Sequence, residues 1–179
     1  MAETITYQRL SGDLIPEDLL DSFNRYQQVT RSWREENNQW VLKDNPYVED
    51  WDLDKKRNVT RELSDCAGHG GVVFGVFCEG KLVGFASLAS RFFGSSAKYL
   101  EMPMIEVSFE YRHHGIGRHL FTLIADSAKR LGATKLYISA HSSEESQAFY
   151  KALGCAQAQE INREIADNEP YDCQLEYVL

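Results

Sequence analysis

The sequence predicts an α/β fold in which strands and amphipathic helices follow one another through the second half of the chain. Two apolar runs, at 72–77 and 81–88, flank a Glu-Gly pair and indicate a β-hairpin. An apolar, β-branched run at 105–109 predicts a half-buried strand that turns through a glycine-spaced loop into a helix. Another strand is expected at 136–140, again followed by a helix.

The first third of the chain is expected to contain one short strand and then helices. Residues 4–9 alternate weakly between apolar and polar side chains and fit the strand. Residues 14–28 carry apolar side chains at helical spacing, which are Leu19, Leu20, Phe23 and Tyr26. Residues 30–67 are polar, charged and aromatic, and are expected to form one or two further helices joined around 44–46.

Two helices and a last strand complete the expected elements. The helix after the glycine-spaced loop is predicted to end at Gly132. Its apolar face consists of Leu120, Phe121, Ile124, Ala128 and Leu131. The next helix is predicted to begin with a capping box formed by Ser142 and Glu145, and to end at Gly154. Residues 171–179 alternate and predict the final strand.

Length and composition point to a single domain. The chain has 179 residues and a mass of 20.5 kDa, and its 43% hydrophobic residues are enough for a core. Its four cysteines lack the spacing of a zinc site or a disulfide framework. No apolar run approaches the roughly 20 residues that span a bilayer, and the first residues do not resemble a signal peptide. We therefore expect a cytoplasmic protein without membrane association.

The charge of the chain bears on its partners. A net charge of −8 and a pI near 5.1 argue against nucleic acid as the main partner. The same charge would favour a cationic substrate through electrostatic steering, or it would simply keep the protein in solution.

The loop between the 105–109 strand and its helix has the features of an anion site. Arg112, Gly115 and Gly117 are spaced so that several backbone amides at a helix start can face one ligand. Such amides carry the positive end of the helix dipole and bind phosphate oxygens. A dinucleotide fingerprint would need a third glycine where Leu120 stands, and a Walker loop would need Lys-Ser/Thr after Gly117. An ordinary strand-to-helix turn is the alternative interpretation.

Two motifs together resemble the GNAT superfamily of N-acetyltransferases. The loop matches the R-x-x-G-x-G pattern that grips the pyrophosphate of acetyl-coenzyme A (acetyl-CoA) in that family. The second motif, A-x-x-F-Y-x-x-x-G-F, is matched by Ala148, Phe149, Tyr150 and Gly154, with Cys155 in place of the usual aromatic. The order and separation of the two motifs fit the family.

The resemblance implies a fold and a division of the chain. The implied fold is a mixed, mostly antiparallel central sheet of about six or seven strands flanked by helices, in a single domain over 1–179. Residues of about 10–67 would form a helical region on the acceptor side, and residues of about 68–179 would form the sheet and the acetyl-CoA-binding core.

The resemblance also implies how acetyl-CoA is bound. Its pyrophosphate would lie on the loop residues Arg112, His113, His114, Gly115, Ile116, Gly117 and Arg118. Its pantetheine arm would enter where the strands at 105–109 and 136–140 splay apart, and would bond to the backbone of Val107 and Phe109. Ser143 would touch the same arm or serve only in the helix start. The three nearby histidines invite a metal interpretation, but no carboxylate or cysteine is suitably spaced, and no metal is expected.

The chemistry is assigned to two further residues. By resemblance, Tyr150 would protonate the departing thiolate, although a buried structural tyrosine is the alternative. An alkylammonium has a pKa near 10.4, so the attacking amine needs a route for proton loss. Glu106 is our choice of base and Glu101 is the alternative; each could instead be exposed or paired with a cation. An amide near Val107 would stabilise the oxyanion.

The predicted function is therefore N-acetyl transfer from acetyl-CoA to a primary amine of a small molecule or a protein. A catalytically silent acyl-CoA sensor is the alternative, and a nucleotide-binding domain is a weaker third. An aromatic and acidic set in the acceptor region could contact the amine or merely pack. That set is Trp33, Trp40, Tyr47, Glu49, Asp50, Trp51 and Asp52. A homodimer through the C-terminal strands is compatible with the alternation at 171–179.

Overall fold

The structure is a computed structural model that describes residues 4–179; the first three residues of the predicted domain lie outside that range. In chain order, the strands are β1 (Ile5–Leu10), β2 (Gln27–Glu36), β3 (Gln39–Glu49), β4 (Val72–Cys78), β5 (Lys81–Leu88), β6 (Tyr99–Glu101), β7 (Met104–Val107), β8 (Lys135–Ala140), β9 (Ala156–Gln157) and β10 (Cys173–Val178). The α-helices are α1 (Leu53–Gly68), α2 (Ile116–Leu131), α3 (Glu144–Leu153) and α4 (Arg163–Ala166). None of the helices in this range is both long and apolar enough to cross a bilayer.

The strands form two four-stranded sheets and a separate two-stranded ribbon. The first sheet has the order β1-β4-β5-β7, the second has the order β6-β8-β10-β9, and the ribbon pairs β2 with β3. Among these, β6 and β8 pair in parallel and the other pairs are antiparallel. The predicted mixed, mostly antiparallel sheet flanked by helices is thus confirmed, with eight strands in the two main sheets.

The two main sheets diverge at the short segment between β6 and β7. Met102 donates its amide hydrogen to the carbonyl of Tyr137 at 2.9 Å, which continues the pairing of β6 with β8. Pro103 follows, and it has no amide hydrogen to donate. From Met104 onward, β7 pairs with β5 in the other sheet. The strands β7 and β8 therefore splay apart, as the family resemblance implied for the strands expected at 105–109 and 136–140.

Apolar side chains bury both faces of the first sheet. Helix α2 covers one face with Ile116, Leu120, Phe121 and Ile124, all at most 4% exposed, and it ends at Gly132 as predicted. Leu131 is 48% exposed and does not belong to this face. The other face packs a second cluster that joins α1 to the segment before β2.

The N-terminal region differs from the helical prediction. Residues 27–49 form the β2–β3 ribbon, and the segment before it is mostly turns. Asn37 and Asn38 connect the two strands with positive φ angles of 50° and 61°, as asparagine tolerates in a tight hairpin turn. Within 30–67, a helix forms as α1, which begins where the Asp52 carboxylate accepts the amide of Lys55.

The ribbon is fastened to the loop that precedes α3. Trp33 donates its amide hydrogen to the carbonyl of Ser142 at 2.8 Å, and an Nη of Arg34 donates to the Ser142 hydroxyl at 2.7 Å. Arg31 and Glu144 form an exposed ion pair at 2.7 Å. These contacts hold the middle of β2 against the start of α3.

Candidate active site

A cavity of about 1150 Å³ lies at the splay. Its wall includes Ile105, Glu106 and Val107 on β7. It also includes Ser139 near the end of β8, and His141, the first residue after that strand. The loop before α2 and the exposed face of α3 contribute as well. The cavity thus connects both sequence motifs with the diverging strands.

The start of α2 presents free backbone amides to this cavity. His119 donates the first intrahelical bond, to the carbonyl of Gly115 at 3.0 Å. The amides of Ile116, Gly117 and Arg118 precede that bond and have no acceptor within the helix. Gly115 adopts a φ of +82°, a left-handed conformation that suits glycine. These features are those of an anion site.

The charged residues of the loop have different surroundings. Arg112 is half-buried, and its Nε donates to the carbonyl of Val107 at 3.0 Å. His113 and His114 are exposed, and Nε2 of His113 lies 3.8 Å from Glu145. Arg118 is exposed and lines the cavity. Among residues 4–179, no group of three or more histidine, cysteine or acidic side chains is arranged to hold a metal ion.

Phe109 does not continue the cofactor strand. The strand β7 ends at Val107, and residues 109–111 form a short 3₁₀ helix. The amide of Phe109 donates to the carbonyl of Asn24 at 2.9 Å, and its ring meets Tyr26 edge-on. The prediction of a strand through Phe109 is therefore wrong, because this backbone is engaged by the segment that leads into the ribbon.

Ser143 serves the start of α3. Its hydroxyl accepts the amide hydrogen of Ser146 at 3.2 Å, so the helix cap is Ser143 and not Ser142 as predicted. The residue is 1% exposed and lies outside the wall of the main cavity. Its hydroxyl also accepts from Nε2 of Gln27 at 3.3 Å.

Glu106 belongs to a charged cluster that the sequence did not reveal. Its Oε2 lies 2.9 Å from Nε of Arg25, whose side chain is only 6% exposed. Arg25 also lies 3.6 Å from Oε2 of Glu49, at the end of the ribbon. The Glu106 side chain keeps 24% of its surface accessible, so its carboxylate is both paired and reachable from the cavity.

The pKa values of the two carboxyl groups in this cluster shift in opposite directions. Burial raises the pKa of Glu106, and the charges of Arg25 and Arg112 only partly oppose that rise. The neighbouring His141 ring, followed by Arg25 among the attractive charges, lowers the pKa of Glu49. A carboxylate with a raised pKa is the better proton acceptor of the two.

His141 is a second site residue that the sequence did not reveal. Its Nδ1 accepts the amide hydrogen of Ser143 at 3.2 Å, which assigns the ring proton of the neutral form to Nε2. Nε2 lies 3.2 Å from Glu49 and 3.0 Å from the hydroxyl of Tyr47. His141 and Arg25 therefore both lie close to the same oxygen, Oε2 of Glu49.

Tyr150 lies at the wall of the cavity on α3, as the motif predicts. It is 9% exposed, and burial, followed by the charge of Glu106, raises the pKa of its hydroxyl. No hydrogen-bond partner for this hydroxyl occurs among the described residues. A phenol in these surroundings keeps its proton at neutral pH and is free to donate it.

Glu101, the alternative base, also lines the cavity, from β6. Burial raises the pKa of its carboxyl group, and the charge of Glu164 adds to the rise. In the described part of the chain it forms no ion pair. Glu101 and Glu106 thus stand on opposite sides of the break at Pro103.

Part of the aromatic and acidic set expected at the acceptor site is found there. Glu49 and Trp51 line the cavity, and Tyr47 reaches it through His141. Trp33 and Trp40 instead pack against the main core. Packing was the alternative for the whole set, and it holds for these two tryptophans.

Solved structures share this fold across nearly the whole chain. Nourseothricin acetyltransferase superposes with a TM-score of 0.65 at 17% identity, covering 96% of this chain and 95% of its own. A structure from Bacillus anthracis str. Ames, described as a streptothricin acetyltransferase in complex with acetyl coenzyme A, has a TM-score of 0.68 at 13% identity and covers 98% of both chains. Aminoglycoside N-acetyltransferase AAC(6')-Iy, in complex with CoA, has a TM-score of 0.56 at 14% identity, with coverage of 90% and 94%.

Sequence comparison agrees on the family. No curated protein sequence matches the chain. The model of the acetyltransferase (GNAT) family matches residues 23–155, which include the loop at 112–117, both candidate bases and Tyr150. The chain therefore belongs to the GNAT acetyltransferase family.

Proposed function

We propose that this protein transfers the acetyl group of acetyl-CoA to a primary amine of a cationic small molecule. The observation that carries the proposal is the placement of Glu106 and Tyr150 in one cavity with the free amides at the start of α2. The family membership supports acetyl transfer, and one similar structure contains acetyl coenzyme A.

Two adjoining parts of the cavity, the start of α2 and the splay beside β7, would hold acetyl-CoA. The amides of Ile116, Gly117 and Arg118 would bind the pyrophosphate, with the guanidinium of Arg118 and the exposed imidazoles of His113 and His114 nearby. The backbone of Val107 would bond to the pantetheine arm within the splay. Arg112 would act mainly by fixing the Val107 carbonyl.

The reaction would proceed by direct attack. The neutral amine nitrogen forms a bond to the thioester carbonyl carbon, and a backbone amide near Val107 stabilises the resulting oxyanion. The carbon–sulfur bond then breaks, and Tyr150 donates its proton to the departing sulfur. Glu106 receives the proton that the amine loses, directly or through water, and returns a proton to Tyr150 through solvent. The products are the acetamide and CoA with a free thiol.

The charge around the cavity favours a cationic acceptor. Five carboxylates line the part formed by α1, β6 and the segment after α3, which are those of Glu62, Glu101, Glu164, Glu169 and Asp172. Lys55 and Arg91 are the cations among the lining residues there, and Arg91 lies 3.7 Å from Glu164. An acceptor with several ammonium groups would find complementary charge in this part.

An acceptor panel tests the proposal. The panel contains polyamines, aminoglycosides, streptothricin-class compounds, nourseothricin and peptides with free N-termini, because similar structures are named for several of these compounds. Release of the CoA thiol is followed with a thiol reagent, with Tyr150→Phe as the matched control. We expect release with cationic small molecules. Tight binding of acetyl-CoA without release on any amine would instead favour a sensor.

A further inference from the structure

Arg25 occupies the centre of the charged cluster. The residue is 5% exposed, and its guanidinium lies over the ring of Trp51, 5.4 Å from the centroid. Nε is 2.9 Å from Glu106, Nη2 is 3.6 Å from Glu49, and Nη1 donates to the side-chain oxygen of Gln27 at 3.0 Å. A buried guanidinium is costly unless it is paired, and here its partners come from three different strands.

The contacts of Arg25 link the base to the helix that carries the proton donor. Glu106 lies on the cofactor strand β7, and Glu49 lies at the end of the ribbon. Gln27, which receives the Nη1 bond, donates in turn to the Ser143 hydroxyl that caps α3. Arg25 thus contacts β7 directly and is linked to the start of α3 through Gln27.

The pairing with Glu106 leaves the carboxylate able to react. The Nε–H of Arg25 is close to Oε2 but is not aligned for a hydrogen bond, and this buried nitrogen has no other hydrogen-bond partner among the described residues. The interaction is therefore mainly between charges. The carboxylate keeps its lone pairs available to the cavity, where an acceptor amine would lose its proton.

We propose that Arg25 is a positioning residue for the acetyl transfer, which holds Glu106 at the splay in its ionised form and ties it to the start of the Tyr150 helix. This inference rests on the proposed function. In this proposal Arg25 acts through Glu106 and not directly on the acetyl group or the acceptor amine.

The direction of the effect follows from the charges that face Glu106. Arg25 and Arg112 favour its ionised form, Glu49 opposes it, and the Tyr150 hydroxyl is neutral. His141 acts on this group only through Glu49. Removal of the positive charge at position 25 should therefore raise the pKa of Glu106, so that the base is ionised only at higher pH.

Direct titration of Glu106 tests the inference without requiring turnover. Carboxyl carbons of ¹³C-labelled glutamate are followed by NMR in the wild type, Arg25→Met and Arg25→Lys, and Glu106→Gln assigns the resonance. We expect Arg25→Met to raise the midpoint by about one pH unit or more, and Arg25→Lys to raise it by less than about half a unit. Arg31→Met, which removes an exposed arginine from the nearby strand β2, should leave the midpoint unchanged.

A kinetic experiment adds the consequence for the reaction. The acidic limb of kcat/KM should move to higher pH in Arg25→Met by the same amount as the NMR midpoint. In Arg25→Lys, kcat should fall several-fold with little movement of the limb, because the charge is kept but the planar fork is lost. Thermal unfolding checks that each variant is folded. If Arg25→Met does not fold, Arg25→Met/Glu49→Gln removes one charge of each sign and should shift the midpoint in the same direction.

The outcomes separate the two proposals. A folded Arg25→Met with an unchanged Glu106 midpoint and an unchanged acidic limb overturns the role of Arg25. If Arg25→Met shifts the Glu106 midpoint but the wild-type protein transfers no acetyl group, the effect of Arg25 on Glu106 is supported. That result counts against the proposed function instead.

Discussion

A Cβ atom on Gly117 would lie 3.1 Å from Cε2 of the Phe149 ring. The glycine belongs to the loop that leads into α2 and the phenylalanine to the motif that carries Tyr150, so the two motifs pack against each other. A methyl group at this point would require the Phe149 ring or the helix backbone to move by a few tenths of an ångström. The glycine spacing therefore serves packing at the helix start as well as access to the backbone amides.

Gly117→Ala tests this contact. The added methyl group must push Phe149 or the first turn of α2, and overpacking of this kind costs about 1–3 kcal/mol. We expect about 1.4 kcal/mol of this cost to oppose the bound state, which would raise the Kd of acetyl-CoA about tenfold. Calorimetry measures this Kd. Gly68→Ala is the control, since a Cβ at Gly68 meets nothing within 4 Å. Equal affinities in the two variants would contradict the packing argument.

Tyr150→Phe removes the proposed proton donor and keeps the ring. A positioned general acid typically contributes about 100-fold or more, so we expect kcat to fall by about that factor. The Kd of acetyl-CoA should stay within about twofold, because the hydroxyl has no structural partner among the described residues. Stopped-flow measurement of thiol release gives kcat. Wild-type turnover in this variant would assign Tyr150 a purely structural role.

The two candidate bases differ in what their removal should do. Glu106→Gln should lower kcat by about 100-fold, and Glu101→Gln should change it by about threefold at most, mainly through KM for a cationic acceptor. Burial raises the pKa of Glu106, so wild-type kcat/KM should increase with pH above the ordinary carboxyl range. This acidic limb should disappear in Glu106→Gln. A larger loss of kcat in Glu101→Gln than in Glu106→Gln would identify Glu101 as the base.

We predict a pH-dependent contact between Glu160 and the loop that precedes β6. The Glu160 carboxylate accepts the hydroxyl hydrogen of Ser96 and the amide hydrogens of Ser95 at 2.8 Å and Ser96 at 2.6 Å, and these bonds lower its pKa to about 2. A lowered carboxyl pKa means that the ionised group favours the folded loop. Its contribution is complete above the unfolded pKa of about 4.3 and is lost as pH falls towards 2.

Amide hydrogen exchange measures this contact. Protection factors of Ser95 and Ser96 should fall between pH 5 and pH 2 in the wild type. In Glu160→Gln they should already be low at pH 6, while Glu164→Gln serves as an exposed control. Protection factors of Ser95 and Ser96 that change neither with pH nor in Glu160→Gln would show that other bonds hold the loop.

The sequence predicted the parts of the site that depend on local spacing. The glycines of the loop, the face of α2 and the Phe149-Tyr150 pair each follow from residues within a turn or two of one another. The splay was implied only by the family resemblance, and in the structure it falls at Pro103, which has no amide hydrogen to donate.

The ribbon could not be predicted in the same way. Its strands alternate only weakly between buried and exposed side chains, because neither face covers a core along its whole length. The Asn37-Asn38 turn was the available signal for a hairpin. Arg25 and His141 were missed for a related reason. Their partners, Glu106 and Glu49, come from distant strands, and such pairings leave no local pattern in the sequence.

The central claim is acetyl transfer to an amine, and mass spectrometry of the acceptor tests it most directly. The protein is incubated with acetyl-CoA labelled with ¹³C in the acetyl group and with a polycationic amine from the panel. We predict an acceptor carrying the labelled acetyl group, formed together with an equal amount of free CoA and strongly reduced in Tyr150→Phe and Glu106→Gln. Free CoA without any labelled acceptor, or labelled acceptor formed equally well by all three proteins, would contradict the account.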